Sequence, residues 1–382
     1  MLVAELFFWG CFGMLAFTYF GYPLSIWLIG KISHRYDYVE DRVPAKKVLL
    51  VIAARNEADV LKDTIENKLE QDYPAELLKI IVVSDASDDG TDEIVQAYDG
   101  RVKLIRLEKR SGKTVALNTA LEEADADIVV FSDANSIFGS AAVTNLVRRF
   151  TDPRVGYVTG KMIYRHAGKS LNSDGCSNYM RYENMIRELE TNCGSVIGVD
   201  GGIDAIRYSL FKPMRADQLP DFVLPLSVLD QGFFVVYAPQ ALLTEDALSD
   251  SADEFSMRVR VVTRALWALR DMRGLLNPLR YPLISYQIFV HKVMRYLAVV
   301  PITTLLVSNI ALADLSATYT SLLLAQLAFY AVAALGFFQA SSGRMKYTAL
   351  PYYFVLVNLA CAVGCWHFLR GKKVVIWQPR IG

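Results

Sequence analysis

The chain is apolar at both ends and charged in the middle, and this layout limits what it can fold into more than any single motif does. Leu6 to Gly30 runs almost without charge, and Tyr296 to Ala313, Thr318 to Gln339 and Ala349 to Leu369 repeat the pattern at the other end. Each run is long enough to cross a hydrocarbon layer of roughly 30 Å as a helix. Nearly all the acidic residues fall between Glu40 and Asp271. With 53% hydrophobic and 21% charged residues, the chain is too apolar for an ordinary soluble protein and predicts an integral membrane protein. Its net charge of zero gives no reason to expect nucleic acid as a partner.

The first run is too long for a signal peptide, lacks a basic start and is followed by no small-residue cleavage site. Lys31, His34, Arg35, Lys46 and Lys47 come next, so the positive-inside rule places the N-terminus outside and the following domain in the cytoplasm. Asn277 to Lys292 is aromatic-rich and holds Pro278 and Pro282, which reads as an interfacial helix or a re-entrant piece. Three further crossings would leave the tail outside, whereas Arg370, Lys372, Lys373 and Arg380 favour the inside. Either one stretch does not fully cross or the tail is an exception. The expected segments are a membrane helix at 1–31, a catalytic domain at 45–272, an interfacial region at 273–295, about three membrane helices at 296–370 and a tail at 371–382. The five cysteines form no CxxC pair, which argues against a zinc site or disulfide framework and suits a reducing compartment.

From Val48 the pattern changes to short β-rich runs alternating with helical spacing. Strands are predicted at Val48–Ala53, Ile80–Ser84, Val102–Arg106 and Ile128–Ser132, with helices over Ala58–Glu70, Asp92–Tyr98 and Lys113–Ala124. Continuous apolar strands separated by helices predict an α/β fold with a mostly parallel, Rossmann-like sheet. In such sheets ligands bind beyond the carboxyl ends of the strands, and there the polar clusters fall.

After the first strand comes Ala53-Ala54-Arg55-Asn56-Glu57, where small residues admit a flat ring, Arg55 can meet a phosphate and Glu57 a base or ribose edge; a plain loop is the alternative. After the second comes Asp85-Ala86-Ser87-Asp88-Asp89-Gly90-Thr91, where Asp85 is placed to accept from a base or ribose and Asp88 and Asp89 to cap the next helix. The spacing Asp85-x-Ser87-x-x-Gly90, with Arg106 and Arg110, imitates a cyclic-dinucleotide signature in reversed order and is set aside. Ser111-Gly112-Lys113-Thr114 opens a helix but has Leu107 where a P-loop needs glycine; its lysine and amides still suit a diphosphate. Asp133-Ala134-Asn135 sets a carboxylate and an amide oxygen two residues apart, suited to a hard cation on a diphosphate; a strand-end turn is the alternative.

Further on, Gly201 and Gly202 permit close backbone approach to a substrate, or belong to a flexible loop. Asp221, framed by Pro220, Phe222 and Pro225, has the surroundings of a general base, with Glu245 and Asp246 as a rival acidic pair. Arg258, Arg260 and Arg264 form a basic cluster near Trp267; Arg260 and Arg264, at i and i+4, suit a departing diphosphate or anionic lipid headgroups.

In this order, from Val48 to Trp267, the clusters resemble those of the family 2 glycosyltransferases with a GT-A fold. The membrane layout resembles bacterial exopolysaccharide transferases and, more distantly, hyaluronan, chitin, poly-N-acetylglucosamine and cellulose synthases. The resemblance implies an inverting transfer from a UDP-sugar or similar donor to a lipid-linked or glycan acceptor, with Mg²⁺ or Mn²⁺ as cofactor, at the bacterial inner membrane. It implies nucleotide binding by Ala53, Glu57 and Asp85, a donor-side lysine in Lys113, metal binding by Asp133 and Asn135, an acceptor-side loop at Gly201 and Gly202, and Asp221 as the base. One departure stands out. Processive synthases carry QxxRW, and here Val261-Val262-Thr263-Arg264-Ala265 keeps only the arginine. The alternatives to addition of one or a few sugars are a processive synthase and a non-catalytic component with a degenerate transferase domain. Retention of both Asp133 and Asp221 argues against the latter, and the lack of charge within the spans argues against a transporter.

Overall fold

A computed structural model describes residues 1–33, 43–122, 124–165, 171–246, 250–339 and 346–374. His34, Arg35 and Arg380, which carry part of the charge argument above, lie outside the described residues, as does the side chain of Asp246. In chain order the regular elements are α1 (Leu2–Ala16), α2 (Tyr22–Ser33), β1 (Val48–Ala54), α3 (Ala58–Leu69), β2 (Leu78–Ser84), α4 (Thr91–Gln96), β3 (Val102–Arg106), α5 (Lys113–Leu121), β4 (Ile128–Asp133), β5 (Ile137–Phe138), α6 (Ala142–Arg148), β6 (Val155–Arg165), α7 (Leu171–Cys193), β7 (Ile203–Arg207), α8 (Pro220–Asp230), β8 (Phe234–Asp246), α9 (Ser251–Asp271), α10 (Pro282–Gln287), α11 (Val299–Leu312), α12 (Ala317–Gln339) and α13 (Lys346–Leu369). By compactness the chain divides into Met1–Ile29, His166–Glu183 and Ala247–Lys372 on one hand, and Gly30–Arg165, Asn184–Asp246 and Lys373–Gly382 on the other.

The second unit holds one eight-stranded sheet in the order β3-β2-β1-β4-β7-β6-β8-β5. Its first half is parallel: β1 pairs with β2 and β4, and β2 with β3. Beyond β4 the direction changes, because β7 runs antiparallel to both β4 and β6, while β6 and β8 pair in parallel across two register shifts. The parallel half follows from composition. Every residue of β1 is buried, and a strand covered on both faces must be apolar throughout. Each such buried Val, Leu or Ile contributes roughly 1.5–3 kcal/mol. The helix α3 packs the stripe Leu61, Thr64, Ile65 and Lys68 inward, a spacing of one helical face. The register sets Ala53 beside Asp133 and Ala54 beside Ser84, so the polar turns after β1, β2 and β4 emerge at one edge.

The first unit is helical. Leu2–Ser33, Ala317–Gln339 and Tyr347–Leu369 are each long and apolar enough to cross a membrane. The first of these contains a π-helical turn, Phe17–Gly21. Pro282–Met294, which overlaps the Asn277 to Lys292 stretch, and Val299–Leu315 form one bent pair that meets at 59°, a broken span or a re-entrant loop. Buried charges in this unit are matched within it. Glu183 accepts from Arg295 at 2.5 Å and faces His291 Nε2 at 3.2 Å. Glu254 accepts from Arg258 at 2.8 Å and from the Tyr353 hydroxyl at 2.6 Å.

Candidate active site

The turns after the parallel strands are knitted together by their own polar groups. Asn56 stands in the left-handed region at φ 54°, where asparagine is tolerated. Its side chain donates to Asp88 Oδ1 at 2.8 Å and accepts from the Asp88 amide at 3.1 Å. Arg55 donates to the Asp85 carbonyl at 3.1 Å. The Glu57 amide donates to Thr91 Oγ1 at 2.9 Å. Asp89 accepts from the amides of Thr91 and Ala58, both at 3.0 Å, and so caps the starts of α4 and α3 at once. Asp88 joins the β1 turn instead.

Asp85 is 3% exposed, and its two oxygens accept from the amides of Ser111 at 2.6 Å and Gly112 at 2.9 Å. The amides that open α5 therefore already have an acceptor in this conformation. Gly112, at φ 92°, makes that turn possible. The side chain of Lys113 then points to the strand ends. Its Nζ donates to Asp133 Oδ1 at 2.5 Å and lies 3.8 Å from Asp221 Oδ1. Burial opposes its charge, but the Asp133 and Asp221 carboxylates outweigh that and raise its pKa above the usual lysine range.

Asp133 ends β4 and is about one-third exposed. The turn that follows is fixed from behind by the polar residues of α3. Thr64 Oγ1 donates to the Ala134 carbonyl at 2.6 Å, Lys68 Nζ to the Ser136 carbonyl at 2.5 Å, and Asn67 both donates to and accepts from the Phe138 backbone at 2.8 Å. Burial holds the Lys68 pKa well below the usual lysine range. Glu245, the sequence rival to Asp221, is fully buried and accepts from Ser136 Oγ at 2.6 Å.

Asp221 opens α8 just after Pro220 at the first helical turn, a position where proline costs no backbone bond. The segment before it is tied to α5, since Thr114 Oγ1 donates to the Gln218 carbonyl and Asn118 bonds both backbone groups of Met214. Gly201, at φ +86°, packs directly on Asp221: an added Cβ would lie 2.2 Å from its Cγ. At Gly202 an added Cβ would meet Leu243 at 2.7 Å and Glu245 Oε1 at 3.0 Å. Sequence reasoning missed two residues of this region. Arg187 on α7 grips Asp200 with both terminal nitrogens, at 2.7 and 2.5 Å, and the Gly198 carbonyl with Nε at 2.9 Å. Asp204 on β7 is 1% exposed and pairs in the ladder with Thr159, whose side chain favours its charged form. Burial raises its pKa to about 8, with the Asp221 and Asp200 carboxylates adding to the shift. Arg260 and Arg264 lie on α9, in the helical unit, the first half-buried and the second buried.

Among the described residues no group of three or more acidic, histidine or cysteine side chains is placed to hold a metal. The oxygens of Asp133 and Asn135 fit a different case. A small hard cation that keeps its waters and binds phosphate oxygens needs only one or two protein oxygens.

The strand ends thus bring Lys113 between Asp133 and Asp221, with Gly201 packed on Asp221, on a GT-A fold. Residues 49–248 match the family described as glycosyl transferase family 2, and the chain belongs to it. Its described residues include helices long and apolar enough to cross a membrane. Among curated proteins it is 25% identical to a poly-beta-1,6-N-acetyl-D-glucosamine synthase of Staphylococcus epidermidis over 210 residues, half of each chain. It is also 25% identical to the Staphylococcus aureus (strain MSSA476) protein of the same description over 289 residues, 69% of this chain and 68% of that one. The chain thus spans about half the length of the first of these relatives. A mannosyltransferase from Pyrobaculum calidifontis, solved with GDP-mannose and Mn²⁺, shares the fold with a TM-score of 0.70 at 22% identity, over 95% of this chain and 98% of that one.

Proposed function

We propose that the enzyme catalyses an inverting transfer from a UDP-sugar or similar donor to a lipid-linked or glycan acceptor at the cytoplasmic face of the bacterial inner membrane, in the synthesis of a cell-surface polysaccharide. The observation that carries this is the Asp133–Lys113–Asp221 arrangement, with one ammonium 2.5 Å from the first carboxylate and 3.8 Å from the second. Asp221 is the base. It takes the proton of the acceptor hydroxyl as that oxygen bonds to the anomeric carbon and the bond to the diphosphate breaks. Lys113 holds its positive charge 3.8 Å from the Asp221 carboxylate, and Gly201 leaves the space in which that carboxylate sits. Ala53, Arg55, Glu57 and Asp85 bind the nucleotide. When bound, Mg²⁺ or Mn²⁺ on Asp133 and Asn135 supplies charge neutralisation at the leaving group.

The test is purified protein with a panel of nucleotide-sugars, with and without each cation, read by release of nucleoside diphosphate and by product length. Cation-dependent release that disappears in Asp221→Asn and Asp133→Ala supports the proposal. A long polymer would replace single addition with processive synthesis. Donor binding without release from any donor and acceptor would point to a non-catalytic component.

A further inference from the structure

By hydropathy α13 is a membrane span, and counting it as one leaves its basic end on the wrong side. Its packing resolves the conflict. α13 runs beside α9 in the same direction over nearly its whole length. The Tyr353 hydroxyl donates to Glu254, Gly364 sits where an added Cβ would be 2.9 Å from Val262, the Phe368 ring lies 5.0 Å from Trp267, and Trp267 Nε1 donates to the Lys372 carbonyl at 3.0 Å. Helices paired in step from 254 to 267 and from 353 to 372 share one depth. α9 is not a span: Asp253, Glu254, Arg258, Arg260, Arg264, Arg270 and Asp271 all lie within it, and ionised side chains are costly at the centre of a bilayer. It also follows β8 in the chain with no span between them.

The start of α12 supplies the second constraint. The Tyr319 ring packs at 5.4 Å from Phe8, and its hydroxyl accepts from Trp9 Nε1 at 3.2 Å. α12 therefore begins on the side where α1 begins, and the α1–α2 crossing puts the catalytic strands on the other. The bent pair must have carried the chain across beforehand, and α12 brings it back. The last turn of α12 meets the start of α13, with Tyr352 against Gly336, and the Phe354 ring lies 5.7 Å from Phe329 nearer the middle of α12. After α13, Gly371 ends the helix at φ 72°, and Lys373 donates to Asp217 at 2.5 Å.

We propose that α13 does not cross the membrane but lies along its surface on the catalytic side, backed by α9, so that the chain crosses three times, through α1–α2, the bent α10–α11 pair and α12. Its occupant is the bilayer itself. The outward face of α13 presents Leu350, Leu359, Trp366 and Leu369, all exposed, to the acyl boundary. The Arg370 guanidinium stacks 4.5 Å from the Trp366 ring at the end of that stripe. Tryptophan with basic residues at a helix end is an anchor at a membrane–water interface.

Single cysteines introduced into the full-length protein at four exposed positions test this, read with a membrane-impermeant maleimide in intact and permeabilised cells against the unsubstituted protein as background. Lys103→Cys marks the catalytic strands, Asp314→Cys the α11–α12 connection, and Tyr347→Cys and Lys372→Cys the two ends of α13. The expected result is that Tyr347→Cys and Lys372→Cys behave as Lys103→Cys does, while Asp314→Cys behaves oppositely. If Asp314→Cys sides with Lys103→Cys and Tyr347→Cys opposes them, the bent pair is re-entrant, α13 crosses, and the proposal is overturned. Opposite labelling of Tyr347→Cys and Lys372→Cys overturns it as well. Labelling of Lys103→Cys in intact cells would overturn the cytoplasmic orientation instead, leaving these relative sides unaffected.

Discussion

The two halves of the catalytic sheet are built to different plans. On the parallel side the polar turns satisfy one another: Asn56 with Asp88, Asp85 with the amides of Ser111 and Gly112, Asp89 with two helix starts. On the antiparallel side the acids are less settled. Asp221 lies 3.8 Å from an ammonium shared with Asp133, and Asp204 is buried with its pKa raised. The first half is a preformed cradle, suited to a constant ligand part such as a nucleotide. The second holds the groups whose protons can move. Substitutions on the antiparallel side should therefore change turnover and pH behaviour, and those on the parallel side should change donor affinity.

The largest expected effect is at Asp221. Asp221→Asn removes the base while keeping its shape, and kcat should fall by roughly 10²–10⁴-fold, the usual worth of general-base help. Donor affinity, measured by titration calorimetry, should be nearly unchanged. A comparable loss of donor affinity would break the division between the two halves.

Next comes Gly201→Ala. The new methyl would lie 2.2 Å from Asp221 Cγ, at a φ of +86°. The left-handed backbone costs about 1–2 kcal/mol in an L-residue, and displacing the base by about 1 Å can cost up to roughly 10²-fold in rate. The expected outcome is a kcat drop of about 10–100-fold with a small fall in Tm. An unchanged kcat would show that the base does not depend on this turn.

The parallel half was largely legible in the sequence because each of its signals is local. An unbroken apolar strand followed by a polar turn names both the element and the edge at which it ends, as at Ala53, Asp85 and Asp133. The antiparallel half gives no such signal. Arg187 reads as one more charge on an amphipathic helix, and only the folded chain brings it to Asp200, 13 residues on. Asp204 reads as part of a glycine-rich loop, yet it is the second residue of β7, flanked in the ladder by Phe131 and Thr159. α13 has the composition of a span, and its partnership with Glu254, 99 residues away from Tyr353, is invisible to a hydropathy window.

Asp204 also sets a pH signature. Its folded pKa of about 8 lies above the roughly 3.9 of an unfolded aspartate. Between those values the folded state retains a proton that the unfolded state releases, so this group's contribution to stability falls as pH rises from about 4 to about 8 and then levels off. Asp204→Asn removes the titration. Relative to the parent it should gain on the order of 4 kcal/mol at pH 7, shrinking toward zero near pH 4. Thermal melts of both proteins across that range check the sign. A stability difference that does not vary with pH would place the proton elsewhere.

The smallest effect is expected in the cradle. Asn56→Ala deletes two hydrogen bonds to Asp88 and puts alanine at a φ of 54°, which asparagine tolerates better. Each exposed bond is worth about 0.5–1.5 kcal/mol at most, so donor affinity should weaken by only a few-fold to about tenfold with kcat intact. The same affinity loss should follow from Asp88→Ala, and the double variant should be no worse than either alone, because the two residues serve one contact. Titration of the nucleoside diphosphate alone, without sugar or acceptor, isolates this effect. If Asn56→Ala lowers kcat while leaving nucleotide affinity unchanged, the parallel turns take part in the chemistry and the division between the halves of the sheet fails.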